Sequence, residues 1–217
     1  ANAAKSLARI AQTVSMSREA NPRFVSLDTD YYQSLWNRHD GRRNVALSKS
    51  IMIQGFPADD MRYPYGSGQF CLMRLDLEVR LANVLRARGY EVFYKPHPAT
   101  ASLMAPAVRE YFDKVLTEPF EQVYRSADIL LFTYPLTSTF GFAVCSELPI
   151  VLLDVDEFEW NPEVHEPLEL RCAMVPAGFD ERNRISFEPQ DLFDAIESAP
   201  ATRDYTYVFK YLIPEAA

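Results

Sequence analysis

The sequence predicts an α/β fold: a parallel sheet with helices on both faces. Three observations carry that expectation. From Asn44 onward, strand-sized apolar runs alternate with helical stretches, the order of βαβ units. Runs such as Ile129 to Phe132 and Pro149 to Leu153 are short and continuously apolar, as strands buried on both faces are. The chain has 217 residues, 48% apolar and 24% charged, which is enough for one good core and short for two full domains.

The elements follow in order. Leu7, Ile10, Ala11 and Val14 share one helical face within residues 3 to 18, and Asn21-Pro22 ends the pattern. A second short helix is expected around Asp30 to Asn37. Both helices read as a leader or linker over residues 1–44, with the α/β domain occupying 45–217. Ser50 to Ile53 is a strand, and the loop from Gly55 to Gly68 holds Pro57, Pro64 and Gly66. Leu72 to Arg88 reads as a helix with Leu77, Leu81, Val84 and Leu85 on one side and charges on the other; Gly89 is its stop.

Then come a strand from Tyr90 to Tyr94, a helix around Pro106 to Asp113, a strand at Val115 to Thr117 and a helix from Pro119 to Ser126. A strand from Asp128 to Phe132 leads through a Pro135-containing turn to a helix over Ser138 to Glu147 and a strand over Pro149 to Leu153. After Asp154 an acidic, aromatic loop is expected as far as a strand near Ala173. Pro189 to Glu197 closes the list as a helix with Pro near its first position.

Composition excludes several classes. Seven Gly and 15 Pro rule out collagen-like and low-complexity chains, and 13% aromatics argue against disorder. Three cysteines, Cys71, Cys145 and Cys172, form no Cys-x-x-Cys arrangement, so neither a disulfide framework nor a zinc knuckle is indicated and a reducing, cytoplasmic compartment is expected. No apolar run approaches the roughly 18 residues of a membrane span. The Ala-Asn-Ala-Ala start reads as a trimmed chain or fragment. Residues 1–44 carry seven Lys+Arg against four Asp+Glu, whereas the rest carries 15 against 26. An acidic body disfavours nucleic-acid partners. The basic leader fits either a solvated helical face or an anionic membrane surface.

Two loops carry the chemistry, because ligands of open α/β sheets bind at the carboxyl ends of the strands. The first reads Lys95-Pro96-His97-Pro98. Its prolines stiffen the backbone, Lys95 supplies positive charge, and His97 supplies an N–H for a phosphate oxygen or a proton for a leaving group. The alternative is a stiff loop with two solvated basic side chains. The second loop reads Thr137-Ser138-Thr139-Phe140-Gly141. Its hydroxyls cap a helix or, with free backbone N–H groups, bind an anionic phosphate; capping accounts for one hydroxyl more easily than for three. Gly141 permits a close approach to the first turn. If the two preceding strands are neighbours, cation and hydroxyls stand side by side.

Lys95-Pro96-His97-Pro98, followed by Ser138-Thr139-Phe140-Gly141-Phe142 and Leu148-Pro149-Ile150-Val151, resembles the C-terminal donor-binding domain of GT-B glycosyltransferases over roughly residues 45 to 200. Within that fold it is most similar to bacterial surface-polysaccharide enzymes that use cytidine-nucleotide donors: capsule Kdo transferases, sialyltransferases and CDP-glycerol glycerophosphotransferases. The resemblance implies a Rossmann-like sheet forming one half of a GT-B fold. It implies that His97 contacts the donor phosphate and stabilises or protonates departing CMP, that Lys95 assists electrostatically, and that Thr137, Ser138, Thr139 and Gly141 hold the same phosphate without a metal ion. The partners implied are a CMP- or CDP-linked sugar, a glycan or glycolipid acceptor and a second Rossmann-like domain in cis or in trans, at the inner face of a membrane. A same-fold epimerase or phosphotransferase and a non-catalytic nucleotide-binding module remain open alternatives. Kdo transferases often carry an acidic residue where Ala143 stands here.

Other residues are read as structural. Asp128 is expected as a turn or cap, Glu147 as an exposed charge near a helix end, and Cys145 as core. His165 is expected in a solvated acidic loop without metal-ligand spacing. Phe158 and Trp160 either stack on a ligand or anchor their loop. Arg62 and Tyr65 are candidate ligand contacts, and His39 has no partner visible in the sequence.

Overall fold

The computed structural model describes residues 29–38, 49–56, 67–155 and 160–213. The helix expected over residues 3 to 18, most of the Gly55 to Gly68 loop with Arg62 and Tyr65, and His39 and Phe158 lie outside them. The elements run α1 (Thr29–Trp36), β1 (Ser50–Gln54), α2 (Ser67–Ala87), β2 (Glu91–Lys95), α3 (Ala101–Val108), β3 (Lys114–Val115), α4 (Phe120–Val123), β4 (Ile129–Phe132), α5 (Ser138–Val144), β5 (Ile150–Val155), α6 (Pro162–Arg171), β6 (Ala173–Phe179), β7 (Ile185–Phe187) and α7 (Pro189–Ser198), with a π-helical turn at Val208–Leu212.

One seven-stranded sheet results, in the order β3-β2-β1-β4-β5-β6-β7. All pairs are parallel except β6 with β7. From β1 the chain winds outward through β2 to β3, then crosses back and winds the other way from β4. The switch point therefore lies between β1 and β4. Strand side chains alternate between faces. Ile51, Ile53, Val92, Tyr94, Ile129 and Leu131 pack with Leu77, Leu81 and Leu85 of α2 and with Leu192 and Ile196 of α7. Met52, Phe93, Leu130 and Phe132 face Phe120, Phe140 and Phe142 of α4 and α5, and Val164 and Leu168 of α6 share that layer. Helices thus cover both faces, the Rossmann-like arrangement the strand–helix alternation predicts.

Gly89 stops α2 as expected: its φ is +94°, and Tyr90 N–H returns to the Leu85 carbonyl at 3.2 Å. Asp128 ties the two central strands together at their starts, its carboxylate accepting from the backbone N–H groups of Lys49 and Ser50 and from the Ser50 hydroxyl.

Several expectations are corrected. The helix expected from Pro106 to Asp113 instead spans Ala101–Val108 and carries Pro106 inside it, ending within a turn of the proline. The stretch read as a loop after Asp154 contains α6, opened by Asn161, whose side chain accepts from Glu163 N–H at 3.0 Å, and by Pro162 at the first position. Its buried face is Val164, Pro167, Leu168 and Arg171, a helical spacing hidden in the sequence by three glutamates and an internal proline. An antiparallel edge strand, β7, follows a tight turn in which Asp180 accepts from the N–H groups of Arg182 and Arg184 and Asn183 adopts φ +56°. The α1 helix is the short helix expected around Asp30 to Asn37, and it packs on the sheet layer of α5: Tyr32 is buried among the α5 aromatics, and the Trp36 ring meets Tyr205 and Phe209 edge-on.

Candidate functional site

Lys95 is the last residue of β2 rather than part of the following loop, and it is only 1% exposed. Its ammonium donates to the Pro96 carbonyl at 2.9 Å, and burial lowers its pKa against the opposing pull of Glu121 and Glu118. The alternative of a solvated Lys95 is thereby excluded. His97 is half-buried, and its carbonyl accepts from Thr100 N–H at 3.0 Å, which folds the chain at once into a single turn at Pro98–Thr100.

At the end of β4, Thr137 has extended backbone and caps α5, its hydroxyl accepting from Phe140 N–H at 3.0 Å. Gly141 N–H is bound to the Thr137 carbonyl. The first N–H groups of a helix have no intrahelical acceptor, so Ser138 and Thr139 present the donors left at this end. Ser138 is exposed and Thr139 half-buried. The close approach expected at Gly141 is present, but the group making it is Tyr32 of α1: a Cβ on Gly141 would stand 2.5 Å from the Tyr32 hydroxyl.

β2 and β4 are not neighbours. β1 lies between them, which separates their ends by about 10 Å, two strand spacings. The two loops nevertheless share one edge, and Lys95 shares a face with the residue that fills the gap. That residue is Gln54, paired in register with Lys95 on one side and Phe132 on the other. Gln54 is 6% exposed; its amide donates weakly to the Gly55 carbonyl at 3.4 Å, and its Oε1 has no partner among the described residues. Thr133, one residue past β4 and 2% exposed, lies against Glu78, and its hydroxyl helps to lower the pKa of that carboxyl. A buried polar atom left unsatisfied costs about 1–3 kcal/mol, so among the described residues Gln54 holds unmet hydrogen-bonding capacity beside the switch point.

Beneath this edge lies a polar cluster that the sequence reading placed on the wrong side of α2. Arg74 and Glu78 belong to its buried face, each 1% exposed, not to its charged outer face. Glu78 accepts from Phe56 N–H at 2.7 Å and from the Tyr94 hydroxyl at 2.8 Å. Arg74 donates to the Thr133 carbonyl, and its guanidinium lies over the rings of Phe56 and Tyr134. Burial pushes the Glu78 carboxyl up to about 7, although the Phe56 N–H, the Tyr94 hydroxyl and the Arg74 charge all pull it down. Tyr94 is raised well above the usual phenol range by burial and by Glu78. Gly55 is required here for space: a Cβ would run into the Tyr94 hydroxyl. The available sequence signal was the four-residue spacing of Arg74 and Glu78 in step with Leu77, Leu81 and Leu85.

The remaining candidates stand apart. Glu147 is 5% exposed, contrary to its expected exposure, with one oxygen 2.7 Å from Arg125 and the other without a partner among the described residues. It lines a cavity of about 290 Å³ with Arg38, Glu121, Tyr124 and Arg125. His165 sits on α6 rather than in a solvated loop, with Asp154 at 3.3 Å and Glu169 at 3.4 Å. Trp160 donates to Asp154 at 2.7 Å, which anchors its end of the loop. Burial raises the Cys145 thiol to about 12, as a core residue requires. Among the described residues no group of three or more His, Cys, Asp or Glu is arranged to hold a metal, and no helix is long and apolar enough to cross a membrane.

No protein-family model and no curated protein matches the chain. Two solved structures are similar at 17% identity. MT0777 aligns over 70% of this chain and 95% of that one with a TM-score of 0.40. KpsC of Thermosulfurimonas dismutans, a beta Kdo 2,7 transferase, aligns over 81% of this chain and 54% of that one with a TM-score of 0.36. Likenesses of this size fall below the level from which shared chemistry follows.

Proposed function

We propose that the chain is the donor-binding half of a glycosyltransferase that transfers a sugar of the Kdo or sialic-acid kind from a CMP-linked donor to an acceptor hydroxyl during surface-polysaccharide synthesis. The observation that supports this reading is that the Lys95-Pro96-His97-Pro98 and Thr137-Ser138-Thr139 loops both leave the carboxyl edge of the sheet, one strand apart and on either side of its switch point. In the reaction the bond from the anomeric carbon to the CMP phosphate oxygen breaks and a bond to the acceptor oxygen forms. The phosphate keeps the electron pair of the broken bond. His97, with the N–H and hydroxyl groups of Ser138 and Thr139, stabilises that charge, and buried Lys95 adds a positive field beneath it. No metal is needed for this step. The acceptor proton goes to a base on a second Rossmann-like domain, supplied in cis or in trans, which also binds the glycan or glycolipid. The basic residues 1–44 suit a peripheral position at the inner membrane face.

Calorimetric titration of CMP tests the reading. His97→Ala is expected to weaken CMP binding about tenfold, near 1.4 kcal/mol; equal affinity in both proteins removes the phosphate role of His97. Product analysis with CMP- and CDP-linked donors then separates glycosyl transfer from CDP-glycerol-type phosphotransfer and from epimerisation. If no nucleotide raises the thermal midpoint, the reading fails.

A further inference from the structure

Arg74 and Glu78 belong to neither motif loop, yet they touch all three strand ends that carry the candidate site. Glu78 accepts from Phe56 N–H just beyond β1 and from Tyr94 in β2, while Arg74 donates to the Thr133 carbonyl just beyond β4. Both arise from adjacent turns of α2, and Phe56 and Tyr134, which flank the guanidinium, are themselves in ring contact at 5.0 Å. Neither residue is needed to fill space, since apolar side chains fill the same helical face at Leu77, Leu81 and Leu85. Buried charged groups contribute little net stability compared with apolar residues of similar volume. What they add is direction: each bond specifies where one strand end must sit. We infer that Arg74 and Glu78 are positioning residues forming a clasp that holds the ends of β1, β2 and β4 in one arrangement, so that the His97 and Thr137 loops are set together rather than independently.

The consequence for ligand affinity rests on the nucleotide-binding reading; the coupling of the two loops does not. The full chain is therefore compared as wild type, Glu78→Gln, Tyr94→Phe and the double variant, with Leu192→Ala in α7 as a core variant of lowered stability that touches none of these groups. Amide hydrogen exchange is read at residues 97–100 and 133–140 under conditions where every protein is folded. Glu78→Gln and Tyr94→Phe are each expected to speed exchange about tenfold or more in both loops, and Leu192→Ala in neither. CMP affinity is expected to fall about fivefold to tenfold in each single variant, with the double variant close to Glu78→Gln alone, because the two changes break one shared contact. A response confined to one loop, additive single effects, or an equal response to Leu192→Ala overturns the clasp. If both loops respond but the wild type binds no CMP, the clasp stands and the nucleotide reading fails. Should Glu78→Gln not fold, Tyr94→Phe alone, lacking one hydroxyl, decides the matter by the same measurements.

Discussion

Glu78 makes the stability of this fold depend on pH in a direction opposite to that of an ordinary surface carboxylate. Its carboxyl titrates at about 7 in the folded chain against 4.5 as a free side chain. Between those values the folded state holds a proton that the unfolded state has released, so stability is fully present below about pH 4.5 and is lost as pH rises to about 7. Each pH unit in that window carries about 1.4 kcal/mol, so the whole window carries about 3 kcal/mol for this fully buried group. Urea unfolding of wild type and Glu78→Gln from pH 4.5 to 8.5 measures it. The wild type is expected to lose about 3 kcal/mol relative to the variant by pH 7 and to run parallel to it above. Asp76, held below the usual carboxylate range by its hydrogen bond from Arg184, and Asp180, held down by the Arg184 and Arg182 N–H groups, act in the opposite sense at lower pH. They are common to both proteins and cancel in the difference. A difference that stays constant within about 0.5 kcal/mol across the range refutes the reasoning.

Three further outcomes are expected. Arg171 is buried and donates to the carbonyls of Ala143, Val144, Ser146 and Leu148 at the end of α5, so Arg171→Met leaves these acceptors orphaned and should lower the unfolding free energy by about 3 kcal/mol or more; a loss under about 1 kcal/mol in urea contradicts it. Gly141→Ala drives a methyl group into the Tyr32 hydroxyl and should cost about 1–3 kcal/mol, most of it recovered in the Gly141→Ala, Tyr32→Phe double variant. If the double variant unfolds as early as the single one, Tyr32 is not the obstacle. Thr137→Ala removes the α5 cap and should cost about 1 kcal/mol, Thr137→Ser should restore it, and Ser138→Ala should leave the midpoint unmoved, which calorimetry distinguishes.

The sequence by itself determined the class of fold, the location of most strands and the two motif loops, because these are local properties. Continuous apolar runs, Gly89 as a helix stop and Thr137 as a cap are each set by residues within a few positions of one another. Tertiary structure decided what those elements meet. It placed β1 between β2 and β4, so that Gln54 rather than direct adjacency links the two loops, and it turned Arg74, Glu78 and Glu147 inward. It also filled the space beside Gly141 with Tyr32 from a helix more than a hundred residues away. Charge in a sequence signals exposure until a distant partner, a carbonyl, a ring or a strand end, compensates its burial, and such partners are chosen by strand order and not by sequence neighbours.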